Sequence, residues 1–182
     1  MSLLWLPNTL TIARCCLAGV VAWMILSLLP GSFWPFIAFV LVALTDFLDG
    51  WAARSLNAVS KFGAFLDPVA DKLLVGFSLI ALTVLANGAW LILIPTVVIV
   101  LRDTIATIVR LFPNVEMPVS QLAKWKTALE MAGIGALLLA APLGIHLITQ
   151  LGTGLVWIAA GLSVYTLGLY LGAVIADVKR PR

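Results

Sequence analysis

Six long apolar stretches, separated by short breaks, dominate this sequence of 182 residues. Each is close to the roughly 20 residues that an α-helix needs to cross a bilayer, and the alternation typical of membrane strands is absent. Only 10% of the residues are charged, against about 25% in a soluble domain. The pattern predicts an all-α integral membrane protein, with one domain over 1–182 and a short interfacial segment before the first span. The predicted spans are 8–29, 33–54, 61–86, 89–112, 119–142 and 153–177.

The breaks between these stretches contain the residue types that usually interrupt helices, namely Gly, Pro, Asn and Ser. They fall at 30–32, 55–57, 87–88, 113–114 and 144–152. None of them is long enough to be a linker between two domains.

Charge is distributed unevenly between the two ends of the predicted spans. The turns at 29–33, 86–90 and 142–152 contain no Lys, Arg, Asp or Glu, so the 11 basic and 8 acidic side chains lie at or near the opposite ends. By the positive-inside rule the charged end faces the cytoplasm, together with both termini. We expect the protein to lie in a bacterial inner membrane.

Several charges lie about one to two helical turns inside the apolar stretches. They are Arg14, Asp46, Asp49, Asp71, Arg102 and Arg110. A lone charge at the centre of a membrane helix costs roughly 2.5–3.5 kcal/mol on insertion scales. We therefore expect these side chains to face one another, a cation or water, in a polar cavity that six helices surround and that opens to the cytoplasm.

Four aspartates are concentrated in two successive predicted helices. Asp46 and Asp49 are i,i+3 neighbours, and Asp67 and Asp71 are i,i+4 neighbours, so each pair shares a helix face. Four carboxylates brought together repel one another unless a cation lies between them. A donor set made only of oxygen favours Mg²⁺ or Mn²⁺ over Zn²⁺, because no Cys or suitably placed His joins it.

A divalent site beside basic side chains indicates an anionic substrate such as a phosphate, and one carboxylate could accept a proton from an attacking hydroxyl. In a structural alternative, the aspartates pair with Arg54, Lys61 and Lys72 at the helix ends. A cation transporter is another class, since carboxylates within a membrane bundle also mark ion pathways. A conduction path, however, would need polar groups towards the apolar ends at 29–33 and 86–90. A purely structural membrane scaffold would leave the deep acids unexplained.

The aspartate region resembles the signature of the CDP-alcohol phosphotransferases, D-x2-D-G-x2-A-R-x8-G-x3-D-x3-D. The matching positions are Asp46, Asp49, Gly50, Ala53, Arg54, Gly63, Asp67 and Asp71. The resemblance implies a dimeric six-helix membrane enzyme that transfers a phosphatidyl-type group from a CDP-linked lipid to an alcohol and releases CMP. It also implies that the four aspartates hold two divalent ions and that Asp71 is the general base. The residues it places around the CDP moiety are Asn8, Gly50, Arg54, Ser60 and Gly63.

The likeness extends over about residues 6–135. "PNTLTIAR" at 7–14 resembles the family's opening motif, while "FGAFLDPVADKLLV" at 62–75 and "QLAKWKTALEMAG" at 121–133 are similar to the phosphatidylglycerophosphate synthases of the family. This implies CDP-diacylglycerol as donor and glycerol 3-phosphate as acceptor. Further expected partners are membrane lipids and a second copy of the chain, but no nucleic acid.

Four basic residues are candidates for binding the phosphate of the acceptor: Arg102, Arg110, Lys124 and Lys126. Arg102 and Arg110 are eight residues apart, so one helix face can carry both. Alternatively, the four are only cytoplasmic flanks of the spans. Asp103 stands where those synthases usually carry Glu, and an Arg-Asp pair is also similar to cardiolipin synthases. Phosphatidylglycerol and inositol phosphate therefore remain alternative acceptors. Glu130 has no assigned role beyond an i,i+4 pair with Lys126.

Overall fold

The described part of the chain forms a bundle of six α-helices. In the computed structural model the backbone is described for residues 5–28, 31–55, 61–110 and 121–178, and the side chains for 12–28, 31–45, 69–108, 121–122 and 124–169. The helices are α1 (Trp5–Ser27), α2 (Trp34–Ser55), α3 (Lys61–Leu85), α4 (Trp90–Arg110), α5 (Gln121–Leu143) and α6 (His146–Val178). The predicted all-α class is confirmed. Part of the predicted interfacial segment is helical, since α1 begins at Trp5, and the remainder lies outside the described residues.

The turn between α3 and α4 is built by the break predicted at 87–88. Asn87 has a φ of 50° and Gly88 a φ of 70°, a left-handed conformation that Asn and Gly tolerate best. The amide of Gly88 donates to the carbonyl of Thr83 at 2.9 Å, and that of Asn87 to the carbonyl of Val84 at 3.0 Å. These two bonds form a Schellman motif, which satisfies the last carbonyls of α3 and reverses the chain within four residues.

The helices form a closed ring when their contacts are followed in space. The order around the ring is α1, α2, α5, α6, α4 and α3, and contacts of α3 with α5 and α2 cross it. The chain end of α4 and the chain starts of α3 and α5 meet at one end of the bundle, where Lys72 and Lys126 both donate to Asp103. Of the described charged side chains, Asp71, Lys72, Arg102, Asp103, Lys124 and Lys126 belong to these parts of the helices, and we call this end the charged end.

Helix α6 differs from the prediction, because it begins at His146 rather than at 153. The predicted break at 144–152 is reduced to Gly144 and Ile145, where Gly144 has a φ of 65° and donates to the carbonyl of Ala140 at 2.9 Å. Gly152 is helical and packs against Gly133 of α5. A Cβ on Gly152 would lie 3.1 Å from the carbonyl oxygen of Gly133. The glycine that indicated a turn is thus a contact between two closely packed helices, a common use of small residues in membranes.

The bundle exposes apolar side chains and buries polar ones. Trp23, Leu41, Leu101 and Ile158 are each more than half exposed. Among the described side chains, three segments are long and apolar enough to cross a membrane: Trp90–Ile108, Lys124–Leu143 and His146–Leu169. This surface suits a membrane protein. That all six helices cross, that the charged end faces the cytoplasm and that 1–182 is one domain stay predictions.

Candidate active site at the charged end

Helices α2 and α3 carry the four aspartates of the signature. Both segments are continuously helical around these positions, and α2 contacts α3. Each aspartate pair therefore lies within one observed helix. The i,i+3 spacing of Asp46 and Asp49 and the i,i+4 spacing of Asp67 and Asp71 place each pair on one helix face. Asp71 is partly buried, whereas the side chains of the other three lie outside those described. A donor set of four carboxylates on two touching helices fits hard divalent cations.

Lys72, directly after Asp71, fastens α3 to α4. Its ammonium group donates to the main-chain carbonyl oxygen of Asp103 at 3.1 Å and to the hydroxyl of Thr107 at 2.5 Å. Thr107 in turn donates to the carbonyl of Asp103 at 2.7 Å. The turn of α3 that ends the aspartate signature is thereby held against the turn of α4 that carries Arg102 and Asp103.

A buried cluster of charged side chains joins α4 to α5. Asp103 accepts a hydrogen bond on Oδ1 from Arg102 Nη1 at 2.9 Å and another from Lys126 Nζ at 2.5 Å. Lys126 Nζ also lies 3.1 Å from Glu130 Oε1 as an ion pair, without the alignment of a hydrogen bond. We call these four residues the ion cluster. It contains two basic and two acidic side chains, so each buried charge has an opposite charge beside it.

A third helix completes the ion cluster. Arg102 Nη2 donates to Thr166 Oγ1 of α6 at 2.9 Å, and Thr166 donates to main-chain carbonyls of its own helix. Lys126 is 3% exposed and Glu130 only 1%. Removing one partner of such a pair leaves an uncompensated buried charge, which typically costs about 3–5 kcal/mol. The ion cluster therefore constrains how α4, α5 and α6 can sit at the charged end.

The structure describes the residues predicted to bind the acceptor more fully than those predicted around the CDP moiety. Asn8, Gly50, Arg54 and Gly63 lie on helices, but their side chains are not among those described, and Ser60 lies outside the described residues. Arg110 is the last residue of α4. Of the basic residues predicted to bind the acceptor, the structure brings Arg102 and Lys126 together through Asp103, whereas Lys124 is exposed.

Two predictions about individual charges are confirmed. Arg14 and Arg102, expected to face other charges, a cation or water, are 2% and 7% exposed and so do not face lipid, and the i,i+4 pair between Lys126 and Glu130 is present. Asp103, however, was not identified as the residue that joins the ion cluster. Its one available signal was an acid beside an arginine in an apolar stretch, which does not reveal a partner 23 residues away.

Two apolar grooves open on the flanks of the bundle near this site. One lies between α2 and α5, has a volume of about 390 Å³ and is lined by side chains that include Phe39, Leu44 and Met131. The other lies between α3 and α4, has a volume of about 260 Å³, and its lining includes Lys72 and Thr107. Both are lined mainly by apolar side chains, which suits hydrocarbon chains.

Residues 4–165 match the family model of the CDP-alcohol phosphatidyltransferases. The chain belongs to this family. The match confirms the resemblance inferred from the aspartate signature, and it covers the four residues of the ion cluster but ends one residue before Thr166. The family generally uses divalent metal ions, in agreement with the oxygen donor set on α2 and α3.

Individual relatives are similar over most of the chain. A CDP-diacylglycerol–glycerol-3-phosphate 3-phosphatidyltransferase of Rickettsia felis is 39% identical over 88% of this chain and 90% of its own length. A chloroplastic/mitochondrial relative of the same name from Arabidopsis thaliana is 34% identical over 92% of the chain, and a cardiolipin synthase (CMP-forming) of Oryza sativa subsp. japonica is 34% identical over 93%. The chain covers 62% and 57% of the length of these two plant proteins.

Proposed function

We propose that the protein transfers the phosphatidyl group of CDP-diacylglycerol to sn-glycerol 3-phosphate, forming phosphatidylglycerophosphate and CMP in phospholipid biosynthesis. The observation that carries the proposal is the likeness to the Rickettsia felis enzyme, which covers 90% of that enzyme at 39% identity. The sequences at 62–75 and 121–133, which resemble such synthases, support the same acceptor.

Asp46, Asp49, Asp67 and Asp71 would hold two ions of Mg²⁺ or Mn²⁺. When bound, the ions supply charge neutralisation for the pyrophosphate and for the departing CMP. Asp71 takes the proton of the acceptor hydroxyl. The hydroxyl oxygen forms a bond to the phosphorus that carries diacylglycerol, and the bond from that phosphorus to the CMP oxygen breaks.

The donor would enter from the side of the bundle. Its acyl tails fit the apolar groove between α2 and α5, because Leu44 at the edge of that groove lies two residues from Asp46. The residues proposed around the nucleotide are Asn8, Gly50, Arg54, Ser60 and Gly63. The glycines leave space for the nucleotide, and Arg54 supplies a positive charge for its phosphates.

The acceptor would bind on the opposite side of Asp71. Glycerol 3-phosphate carries a dianionic phosphate, which needs basic side chains near the reacting hydroxyl. Arg102, Arg110, Lys124 and Lys126 are proposed for this role. The bond from Lys72 to Asp103 supports it, since it holds the α4 turn with Arg102 close to the α3 turn with Asp71.

The proposed cellular arrangement follows from the position of the basic residues. The charged end and both termini would face the cytoplasm, where the phosphorylated acceptor and the nucleotide are found, in a bacterial inner membrane. The proposed partners are membrane lipids and a second copy of the chain.

Phosphatidylglycerol is a second candidate acceptor, favoured by the likeness to the cardiolipin synthase. An acceptor panel distinguishes the two. Purified protein is given CDP-diacylglycerol, Mg²⁺ and one of glycerol 3-phosphate, phosphatidylglycerol, inositol phosphate or serine, and CMP release is measured. We expect glycerol 3-phosphate to give the highest kcat/KM. A higher value for phosphatidylglycerol would assign the protein to cardiolipin synthesis, and no release with any acceptor would refute the proposed transfer.

A further inference from the structure

Asp103 occupies a central position among the charged groups that the structure describes. Its carboxylate accepts hydrogen bonds from Arg102 and Lys126, and its main-chain carbonyl accepts one from Lys72. Three helices thus meet on one residue, which is only 8% exposed. Placing an aspartate in an apolar helix is costly, so the contacts it makes must offset that cost.

The carboxylate limits the directions that the two basic side chains can take. A lysine ammonium group is a point charge on a flexible stem of four carbons, so its position is poorly defined without a partner. Lys126 donates to Asp103 Oδ1 at 2.5 Å, and Arg102 donates to the same oxygen at 2.9 Å. One acceptor atom therefore sets the separation between the guanidinium and ammonium groups. Two cations at a fixed separation make a specific receptor for a phosphate.

We propose that Asp103 is the positioning residue of the acceptor pocket: it fixes Arg102 and Lys126 relative to each other for the phosphate of the acceptor. Through its carbonyl and Lys72, it also holds that pair at a constant distance from the α3 turn that carries Asp71. The inference rests on the proposed function, because it assumes that an acceptor phosphate binds at these cations. Asp103 does not touch the substrate itself.

Glu130 provides a matched comparison within the ion cluster. It is as deeply buried as Lys126, but its contact with that lysine is an ion pair at 3.1 Å without hydrogen-bond alignment. Asp103→Asn and Glu130→Gln each replace a carboxyl group of the same cluster by an amide of nearly the same shape. They differ in that only the first alters the group whose oxygen both cations share, because Asn offers a neutral amide oxygen, a weaker acceptor than the carboxylate.

The test compares apparent KM values of the full chain in detergent with Mg²⁺. We expect Asp103→Asn to raise the apparent KM for glycerol 3-phosphate by about five- to twentyfold, while the KM for CDP-diacylglycerol changes by less than twofold. Glu130→Gln should change the acceptor KM by less than about threefold. If both variants changed the acceptor KM equally, the KM would depend on the charge of the ion cluster rather than on the orientation of Arg102 and Lys126. This result would overturn the proposal.

A stability control separates positioning from a merely structural role. Thr96→Val removes a buried hydrogen bond to Thr83, 3.0 Å long, near the other end of α3 and α4. It should lower the unfolding temperature without changing either KM. If Asp103→Asn behaves in the same way, or raises both KM values alike, Asp103 only stabilises the fold. If Asp103→Asn does not fold, the acceptor KM of Asp103→Glu is measured instead. The extra methylene should raise the acceptor KM about two- to fivefold, and an unchanged KM would refute the inference.

The wild-type protein separates this inference from the function on which it rests. If the wild type releases no CMP with glycerol 3-phosphate, the proposed function fails before any variant is compared. If the wild type is active and Asp103→Asn leaves the acceptor KM unchanged, the proposed function stands and only the role of Asp103 is refuted.

Discussion

At the scale of single residues, the protein pairs buried charges that would be unfavourable in lipid without a partner. Arg102 and Lys126 would each be costly inside a membrane helix, but both meet Asp103 within hydrogen-bonding distance. Lys72 is stabilised in a similar way, because its ammonium group donates to a carbonyl and a hydroxyl on α4. These charged groups are therefore stabilised by contacts inside the bundle rather than by exposure to water.

Asp71 is the residue for which a single substitution should have the largest effect on the reaction. Asp71→Asn removes the proposed base and one oxygen donor for the divalent ions, so we expect CMP release to fall by at least about 10²-fold. The same substitution at Asp177, outside the signature, should leave the rate within about twofold. A stopped assay of CMP formation measures both, and an Asp71→Asn variant with full activity would refute the assigned role.

At the scale of helices, the contact between α5 and α6 depends on two glycines. A Cβ on Gly133 would lie 2.7 Å from Val156 Cγ2 and 3.1 Å from the carbonyl oxygen of Gly152. The backbone oxygen cannot turn aside as a side chain could. A larger residue at either glycine must therefore push the two helices apart.

Gly133→Ala should destabilise the protein by about 1–3 kcal/mol, the usual cost of overpacking. Gly154→Ala is the control, because a Cβ on Gly154 of α6 has no neighbour within 4 Å. Thermal unfolding of both variants in detergent, followed by tryptophan fluorescence, measures the difference. Equal unfolding temperatures would show that the helices accommodate the methyl group and that the close contact is not required.

Helix boundaries show what the sequence could predict and what it could not. The turn at Asn87 and Gly88 was predictable, because both residues favour the left-handed backbone that ends a helix. The start of α6 was not, since Gly152 has the same local signal and its use depends on Gly133, 19 positions earlier in the sequence. Asp103 was missed for the same reason: the sequence predicts pairs within one helix, such as Lys126 with Glu130, better than pairs between helices.

At the scale of the whole molecule, most of the charged side chains that the structure describes lie near one end of a bundle whose flanks are apolar. This distribution would allow the proposed water-soluble acceptor and lipid-bound donor to meet at the membrane surface. It also predicts a direction of insertion, because basic side chains near span ends are retained in the cytoplasm.

The orientation can be measured by labelling cysteines in cells. In a chain with Cys15 and Cys16 replaced by Ser, Ala89→Cys in the α3–α4 turn should react with an impermeant maleimide added to cells with a permeabilised outer membrane. Arg180→Cys should react only after the inner membrane is opened. The reverse pattern would place the charged end outside and contradict the proposed arrangement.

Phosphatidyl transfer to glycerol 3-phosphate can be tested by analysing both products of the reaction. Purified protein is incubated with CDP-diacylglycerol, labelled glycerol 3-phosphate and Mg²⁺, and CMP and phosphatidylglycerophosphate are quantified together. We predict that the two products appear in equal amounts and that a chelator of divalent ions stops both. CMP without labelled lipid would indicate hydrolysis of the donor, and full formation of both products after removal of divalent ions would contradict the metal site proposed on α2 and α3.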